Sequence, residues 1–299
     1  MQQVFHFLKH TAIKVGLFLR ANWAYILWGV LHGLLAFFIL QGVLGSTEAA
    51  IQFTLIIYVV SIGLALSPLG EFVMRRLEGA RPVETKKDID YLMPLFEEVY
   101  DEAKARTPSL NKHIKLYISE AKYVNAFAIG RKTVMVARGA IESFSPEELK
   151  GAIAHELGHM ASGDTTARLL TIVGNGFFSA IVLMCRAVIV FYELVIGLIS
   201  KKYVLTIIIS FIVKMLFSYT ISAFLFVGSM ILALNSRYRE YLADDYAYQI
   251  GFGEGLKDML YQINSLHMGG KRTIKQWLRA SHPHTTARIA RLEKKLELV

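Results

Sequence analysis

Two long stretches without charge decide what this chain can fold into. Asn22 to Ser46 holds no Lys, Arg, Asp or Glu, and after the short Gly45–Glu48 connection Ala49 to Gly70 is again uncharged. Each is long enough to cross a hydrocarbon core of about 30 Å as a helix. A chain that is 54% hydrophobic with mean hydropathy +0.41 is also too apolar for an ordinary soluble domain, so an integral membrane protein is expected. Lys9, Lys14 and Arg20 precede the first stretch and Arg75, Arg76, Arg81, Lys86 and Lys87 follow the second, while the loop between carries only Glu48. The positive-inside rule places both ends of this hairpin in the cytoplasm. A cleavable signal peptide is the competing account, but the apolar run exceeds a typical h-region and no clean A-x-A site closes it, so a retained anchor is expected.

The formal charge of +9 is spread over span flanks and helix ends with no nucleic-acid module beside it. These basic residues read as topology signals, and nucleic acid is excluded as a partner. Cys185 is the single cysteine and lies in an apolar stretch, which excludes a disulfide framework and a cysteine zinc cage.

Between the apolar runs lies a stretch with the pattern of a soluble domain. Leu92, Leu95, Phe96, Val99, Tyr100 and Ala103 recur at helical spacing between Asp88 and Arg106, with Pro94 marking an alternative start. Residues 114–118, 125–129 and 133–137 read as short strands, the last two joined by Gly130-Arg131-Lys132. A small sheet follows. Its edge suits main-chain pairing with an extended peptide, or it simply closes the domain.

Ser145-Pro146-Glu147-Glu148 then supplies an N-cap, a proline at the first helical position and a glutamate at N3. Helical phase from Pro146 runs into His155-Glu156-Leu157-Gly158-His159. Positions i and i+4 share a face, so His155 and His159 can both reach one zinc. Glu156, about 100° round the helix, is placed to take a proton from a water that the metal activates. Two histidines merely hydrogen-bonded within a helix remain the alternative until a third ligand is found.

After a polar break at Ser162-Gly163-Asp164 the chain becomes apolar again, interrupted by Arg186 and Glu193, turns at Lys201-Lys202, and stays apolar from Tyr203 to Leu234 apart from Lys214. Folding this second hairpin at Lys201-Lys202 brings Glu193 and Lys214 within about one helical turn in depth, where a pair offsets the cost of burying charge. Directly after it, Glu240 and Asp244 stand at i and i+4. One carboxylate can complete the metal site while the other receives the N–H of a ligating histidine; the alternative is a solvated face paired with Arg237 and Arg239. If the histidines and Glu240 bind one metal, the hairpin crosses the membrane an even number of times, so two and four spans both stay open. A C-terminal helix follows Ser281-His282-Pro283, with Ile289, Leu292 and Leu296 as its apolar stripe.

Together, His155-Glu156-Leu157-Gly158-His159, Ser236-Arg237 with Glu240 and Ala243-Asp244, Asn125-Ala126-Phe127-Ala128 before Arg138-Gly139, and His282-Pro283 with Arg288-Ile289 resemble the HtpX-like membrane zinc metalloproteases. These are bacterial stress-associated peptidases related to the CAAX prenyl endopeptidases, and the resemblance runs from about Arg75 to Leu292. It implies one zinc ion per chain held by His155, His159 and Glu240, with Glu156 as general base and Asp244 behind a ligand. It implies that His282 and Arg288 meet the developing oxyanion and that Asn125, Ala126, Phe127 and Ala128 form the strand holding the substrate.

The expected fold is therefore mainly α: two helical membrane hairpins with a cytosolic α+β zincin-like (gluzincin) metalloprotease domain containing a small sheet. The expected organisation is a hairpin over 1–74 (spans 22–46 and 49–70), protease segments over 75–168 and 235–299, and a second hairpin over 169–234 (spans 169–199 and 203–234). A multi-pass protein of the bacterial inner membrane is implied, acting on protein substrates at the lipid bilayer. An intramembrane protease of the site-2 type fits poorly, because Glu147, Glu148, Lys150 and Asp164 crowd the motif with charge. A catalytically silent membrane scaffold is the remaining rival, and Glu156 argues against it.

Overall fold

The structure, a computed structural model, describes residues 2–199, 203–266 and 284–297. Helix α1 (Gln2–Leu44) and α2 (Thr47–Leu66) form the first hairpin. Gly45 turns it with φ +66°, and the Ser46 hydroxyl accepts the Ala49 N–H as the cap of α2. α1 bends at Asn22 (φ −120°, ψ 18°), whose carboxamide donates to Phe18 O at 3.1 Å and Ser162 O at 3.2 Å. The bend thus ties the start of the first span to the turn that follows the histidine motif.

Among the described residues, three helices are long and apolar enough to cross a membrane, within Phe18–Leu44, Thr47–Leu66 and Ile208–Gln249. The second span stops at Leu66, short of the expected Gly70. Ser67 caps a new helix there, α3 (Pro68–Leu77), which has Pro68 at its first position. The second hairpin consists of α7 (Asp164–Ile199) and α8 (Tyr203–Gln249), which pack on α1 and α2. Its Lys201-Lys202 turn lies outside the described residues. Glu193 and Lys214 do pair, Nζ to Oε2 at 2.6 Å. Both arms outrun the expected limits of 169 and 234 and carry on without a break into the protease domain.

Among the described residues, four strands form one sheet in the order β1 (Ala80–Pro82), β2 (Lys115–Ser119), β4 (Thr133–Ala137), β3 (Ala126–Ile129). β2 and β4 are parallel, the other pairs antiparallel. Strand β1 was too short, with Pro82 in it, to be read from alternation. Between β1 and β2 lies α4 (Lys86–Arg106), and Pro94 sits inside it. Its start is at Thr85, whose hydroxyl accepts the Asp88 N–H, so the alternative start at Pro94 is corrected.

After α5 (Arg138–Ser143), helix α6 (Pro146–Ala161) runs through the middle of the domain. Leu149, Ile153 and Leu157 of α6 pack with Leu92, Phe96 and Val99 of α4 and with Val134 and Val136 of the sheet. The other side of this core is closed by Leu256 and Leu260 of α9 (Gly253–Leu266) and by Ile289 and Leu292 of α10 (Thr285–Leu296). Gly151 and Gly255 let α6 and α9 touch backbone to backbone, since a Cβ on Gly151 would fall 2.2 Å from Leu256 N.

Candidate active site

Helix α6 begins with a complete capping box. Ser145 Oγ accepts the Glu148 N–H at 3.3 Å, and Glu148 Oε2 accepts the Ser145 N–H at 2.7 Å. The phase so set brings His155 and His159 together on one face, Nε2 to Nε2 at 3.2 Å. From α8, Glu240 presents Oε2 at 3.5 Å from His155 Nε2 and Oε1 at 3.5 Å from His159 Nε2. All three are buried, and one ligand atom from each lies within 4.8 Å of the others.

A divalent cation suits this donor set, two imidazole nitrogens and a carboxylate converging in a buried site. Behind the ligands, Asp244 Oδ1 lies 3.0 Å from His155 Nδ1 and Asp164 Oδ2 lies 2.8 Å from His159 Nδ1. Burial and the Arg288 guanidinium push the His155 imidazole down, but Asp244 and Glu240 outweigh them and leave it above the ordinary histidine range. Burial likewise lowers His159 while Glu240 and Glu156 raise it, with the same net direction. The carboxylates dominate the local field, so the pocket favours positive charge.

Arg288 on α10 is buried. It donates to Asp244 Oδ1 at 2.6 Å and Oδ2 at 2.8 Å, and its Nη1 lies 3.1 Å from Glu240 Oε2. Its guanidinium therefore braces the two carboxylates from behind. His282 lies outside the described residues.

Glu156 lines the same cleft as the three ligands and accepts the Ala128 N–H at 2.8 Å. β3 is the sheet's edge. Ala137 donates to Asn125 O at 2.9 Å, and bonded and unbonded pairs alternate in an antiparallel ladder. Ala126 and Ala128 consequently turn their backbone groups away from β4, into a cleft of about 560 Å³. Asn125 to Ala128, His155, Glu156, His159 and Glu240 all line it, and it extends to Tyr25, Asn175 and Ser229 on the apolar helices.

Sequence reasoning missed Asp164 and the role of Arg239. Arg239 reaches Asp164 through Nη1, and its guanidinium carbon sits 4.3 Å from the Tyr25 ring centroid. It is buried rather than part of a solvated face.

Two histidines one turn apart on a buried helix, a carboxylate arriving from a second helix and a small mixed sheet beside them define a zincin-like metallopeptidase, here built on membrane helices. The model of Peptidase family M48 matches residues 88–296. The chain belongs to that family and is an HtpX-like member of it. It is 26% identical over 285 residues to a protease HtpX homologue of Bacillus pumilus, covering 84% of this chain and 86% of the relative. It is 30% identical over 230 residues to protease HtpX of Pseudomonas putida, covering 69% and 71%. The crystal structure of S. mikatae Ste24p shares the fold with a TM-score of 0.54 at 22% identity, over 91% of this chain. This chain spans 63% of that protein's length.

Proposed function

We propose that this membrane metalloprotease is a zinc endopeptidase that cuts misfolded or damaged membrane proteins from the cytosolic face of a bacterial inner membrane. The observation that carries the reading is the convergence of His155, His159 and Glu240 beside Glu156 and the edge of β3. α7 starts at Asp164, just past His159, and α8 runs unbroken from the second hairpin to Glu240. The site therefore belongs at the membrane surface, within reach of cytosolic loops and loosened segments, with α7 and α8 as a second pair of spans.

Zinc, when bound, supplies a Lewis acid that acidifies water and polarises the scissile carbonyl. His155, His159 and Glu240 would hold it, with Asp244 beside His155 Nδ1 and Asp164 beside His159 Nδ1 as the carboxylates that would orient the two imidazoles. Glu156 takes the proton of the attacking water and delivers it to the leaving amine. The outward N–H and C=O of Ala126 and the outward C=O of Ala128, whose N–H Glu156 holds, pair with the peptide main chain, with Asn125 and Phe127 keeping that strand on β4. His282 donates to the tetrahedral oxyanion, and Arg288 adds positive charge from behind Glu240.

The test is cleavage of a misfolding-prone membrane protein by the purified full chain with zinc, with chelator, and as Glu156→Gln, with bound metal measured in parallel. Cutting by the zinc form and an inert variant that retains zinc establishes hydrolysis with Glu156 as base. Metal-loaded protein that cuts none of several substrates points to a silent scaffold. Equal cutting by both forms disposes of the mechanism.

A further inference from the structure

The turn that sets β3 is held from the membrane side. Gly130 sits at φ +58°, and a Cβ there would fall 2.5 Å from Glu71 Oε1. The turn must therefore be glycine on two counts, backbone conformation and space. Glu71 belongs to α3, the short helix that follows the second span, and its carboxylate is almost fully buried at 9% residue exposure. Oε1 accepts the Arg131 N–H at 2.6 Å, and Oε2 accepts the Thr133 hydroxyl at 3.0 Å. The same hydroxyl receives Arg75 Nη1 at 2.9 Å, so two residues one turn apart on α3 grip the loop between β3 and β4. From the opposite side Thr165 of α7 donates its hydroxyl to Gly130 O.

Nothing in the chemistry of hydrolysis calls for a buried carboxylate at this place. Glu71 lines no part of the cleft, whereas Met74 and Glu78, further along the same helix, do. The outer side of α3 leaves Leu69, Phe72, Val73 and Leu77 exposed directly after the α2 span. One face of α3 is thus continuous with the apolar surface of the hairpin, while its other face holds the turn of the strand that borders the site. Charge-assisted hydrogen bonds to a backbone N–H are short and directional, so they fix where the strand ends as well as stabilising it.

The geometry points to Glu71 as a positioning residue for the substrate strand: it pins the Gly130–Thr133 turn to α3 and so sets the height of Ala126 and Ala128 beside Glu156 and the metal ligands. This rests on the reading that β3 pairs with the peptide. A strand that drifts offers the peptide a poorer ladder, yet leaves the ligands His155, His159 and Glu240 where they are on α6 and α8, and leaves Glu156 on α6 with only its Ala128 N–H contact loosened. Loss of the clamp therefore acts on substrate binding and spares the chemical step.

The experiment measures kcat and KM for the zinc-loaded full chain with a peptide long enough to lie along β3, for Glu71→Ala, Glu71→Gln, Thr133→Val and Ala126→Pro, with bound metal as control. Glu71→Ala raises KM about tenfold with kcat within about twofold and metal unchanged. Glu71→Gln, which keeps an acceptor for Arg131, recovers much of the loss. Thr133→Val shifts KM the same way by less and serves if Glu71→Ala does not accumulate. Ala126→Pro removes one outward N–H and raises KM by itself, because proline is tolerated on an edge with its N side outward. An unchanged KM in Glu71→Ala, or a fall in kcat that follows lost metal, overturns the clamp while a raised KM in Ala126→Pro upholds the strand. No effect of Ala126→Pro removes the strand reading and the clamp with it.

Discussion

Asp164 Oδ2 lies 2.8 Å from His159 Nδ1, which places a carboxylate behind the second histidine of the motif just as Asp244 stands behind the first. Asp164 is in turn engaged by buried Arg239, which stacks against Tyr25 of the first span. An outer carboxylate orients the ring and raises its basicity as a ligand, and losing one typically weakens metal binding by about 10–100-fold. Asp164→Asn is expected to lower zinc affinity by that order, read by competition with a chromophoric chelator, while the purified protein stays folded. Unchanged affinity would show that Asp164 serves the fold alone.

The ion pair between Glu193 and Lys214 joins the two arms of the second hairpin. Either charge left alone among apolar helices is costly. Glu193→Lys with Lys214→Glu is expected to melt close to wild type in detergent and to keep activity, whereas each single change lowers the melting temperature. A double exchange as damaging as either single one would sink the pairing as a source of stability.

The α6–α9 crossing tolerates no side chain at its centre. A Cβ on Gly151 would fall 2.2 Å from Leu256 N, and one on Gly255 would fall 2.1 Å from Glu147 O. Both neighbours are backbone, so they cannot turn aside. Gly151→Ala must push α9 away and is expected to cost about 1–3 kcal/mol. His155 stands one turn further along α6, so the same change lowers activity. Differential scanning in detergent and a turnover assay check the two halves.

Local spacing explains what was legible. The capping box at Ser145, the His155/His159 pair and the i, i+4 carboxylates at Glu240 and Asp244 are all set within a few residues, where helical phase alone decides which side chains meet. Three of the four strands were readable for the same reason, as was the break at Ser162-Gly163. What escaped depends on chain segments far apart. Arg239 meets Asp164 across 75 positions, and Glu71 meets Arg131 across 60. No periodicity in either segment announces such a contact. β1 is a partner of β2 rather than an alternating run of its own. The unbroken α7 and α8 escaped because a fall in hydropathy near 169 and 234 looks like a boundary, although a helix can leave the membrane without ending.

Asp88 is expected to make the stability of the domain fall in acid. Its carboxylate accepts Arg138 Nη1 at 2.8 Å and Nη2 at 3.0 Å and Arg81 Nη2 at 3.2 Å, joining the start of α4 to β1 and to the first residue of α5. The Arg138 hydrogen bonds, aided by Thr85 and Arg81 and opposed by burial, hold this carboxyl well below the usual carboxylate range. A group depressed in the folded state contributes stability that is fully present above its unfolded value, about 3.9 for aspartate, and disappears as pH falls below it. Asp88→Asn is therefore expected to cost about 1.5–3 kcal/mol at neutral pH, the range for hydrogen bonds to a charged group. The gap to wild type should shrink as the pH is lowered through about 4, where the native carboxyl begins to lose its advantage over the amide. Both proteins should be compared without metal, so that protonation of the histidine ligands affects each equally. A difference in melting temperature that stays constant from pH 7 to well below the unfolded value of about 3.9 would mean that the Asp88 charge contributes nothing and that its packing does.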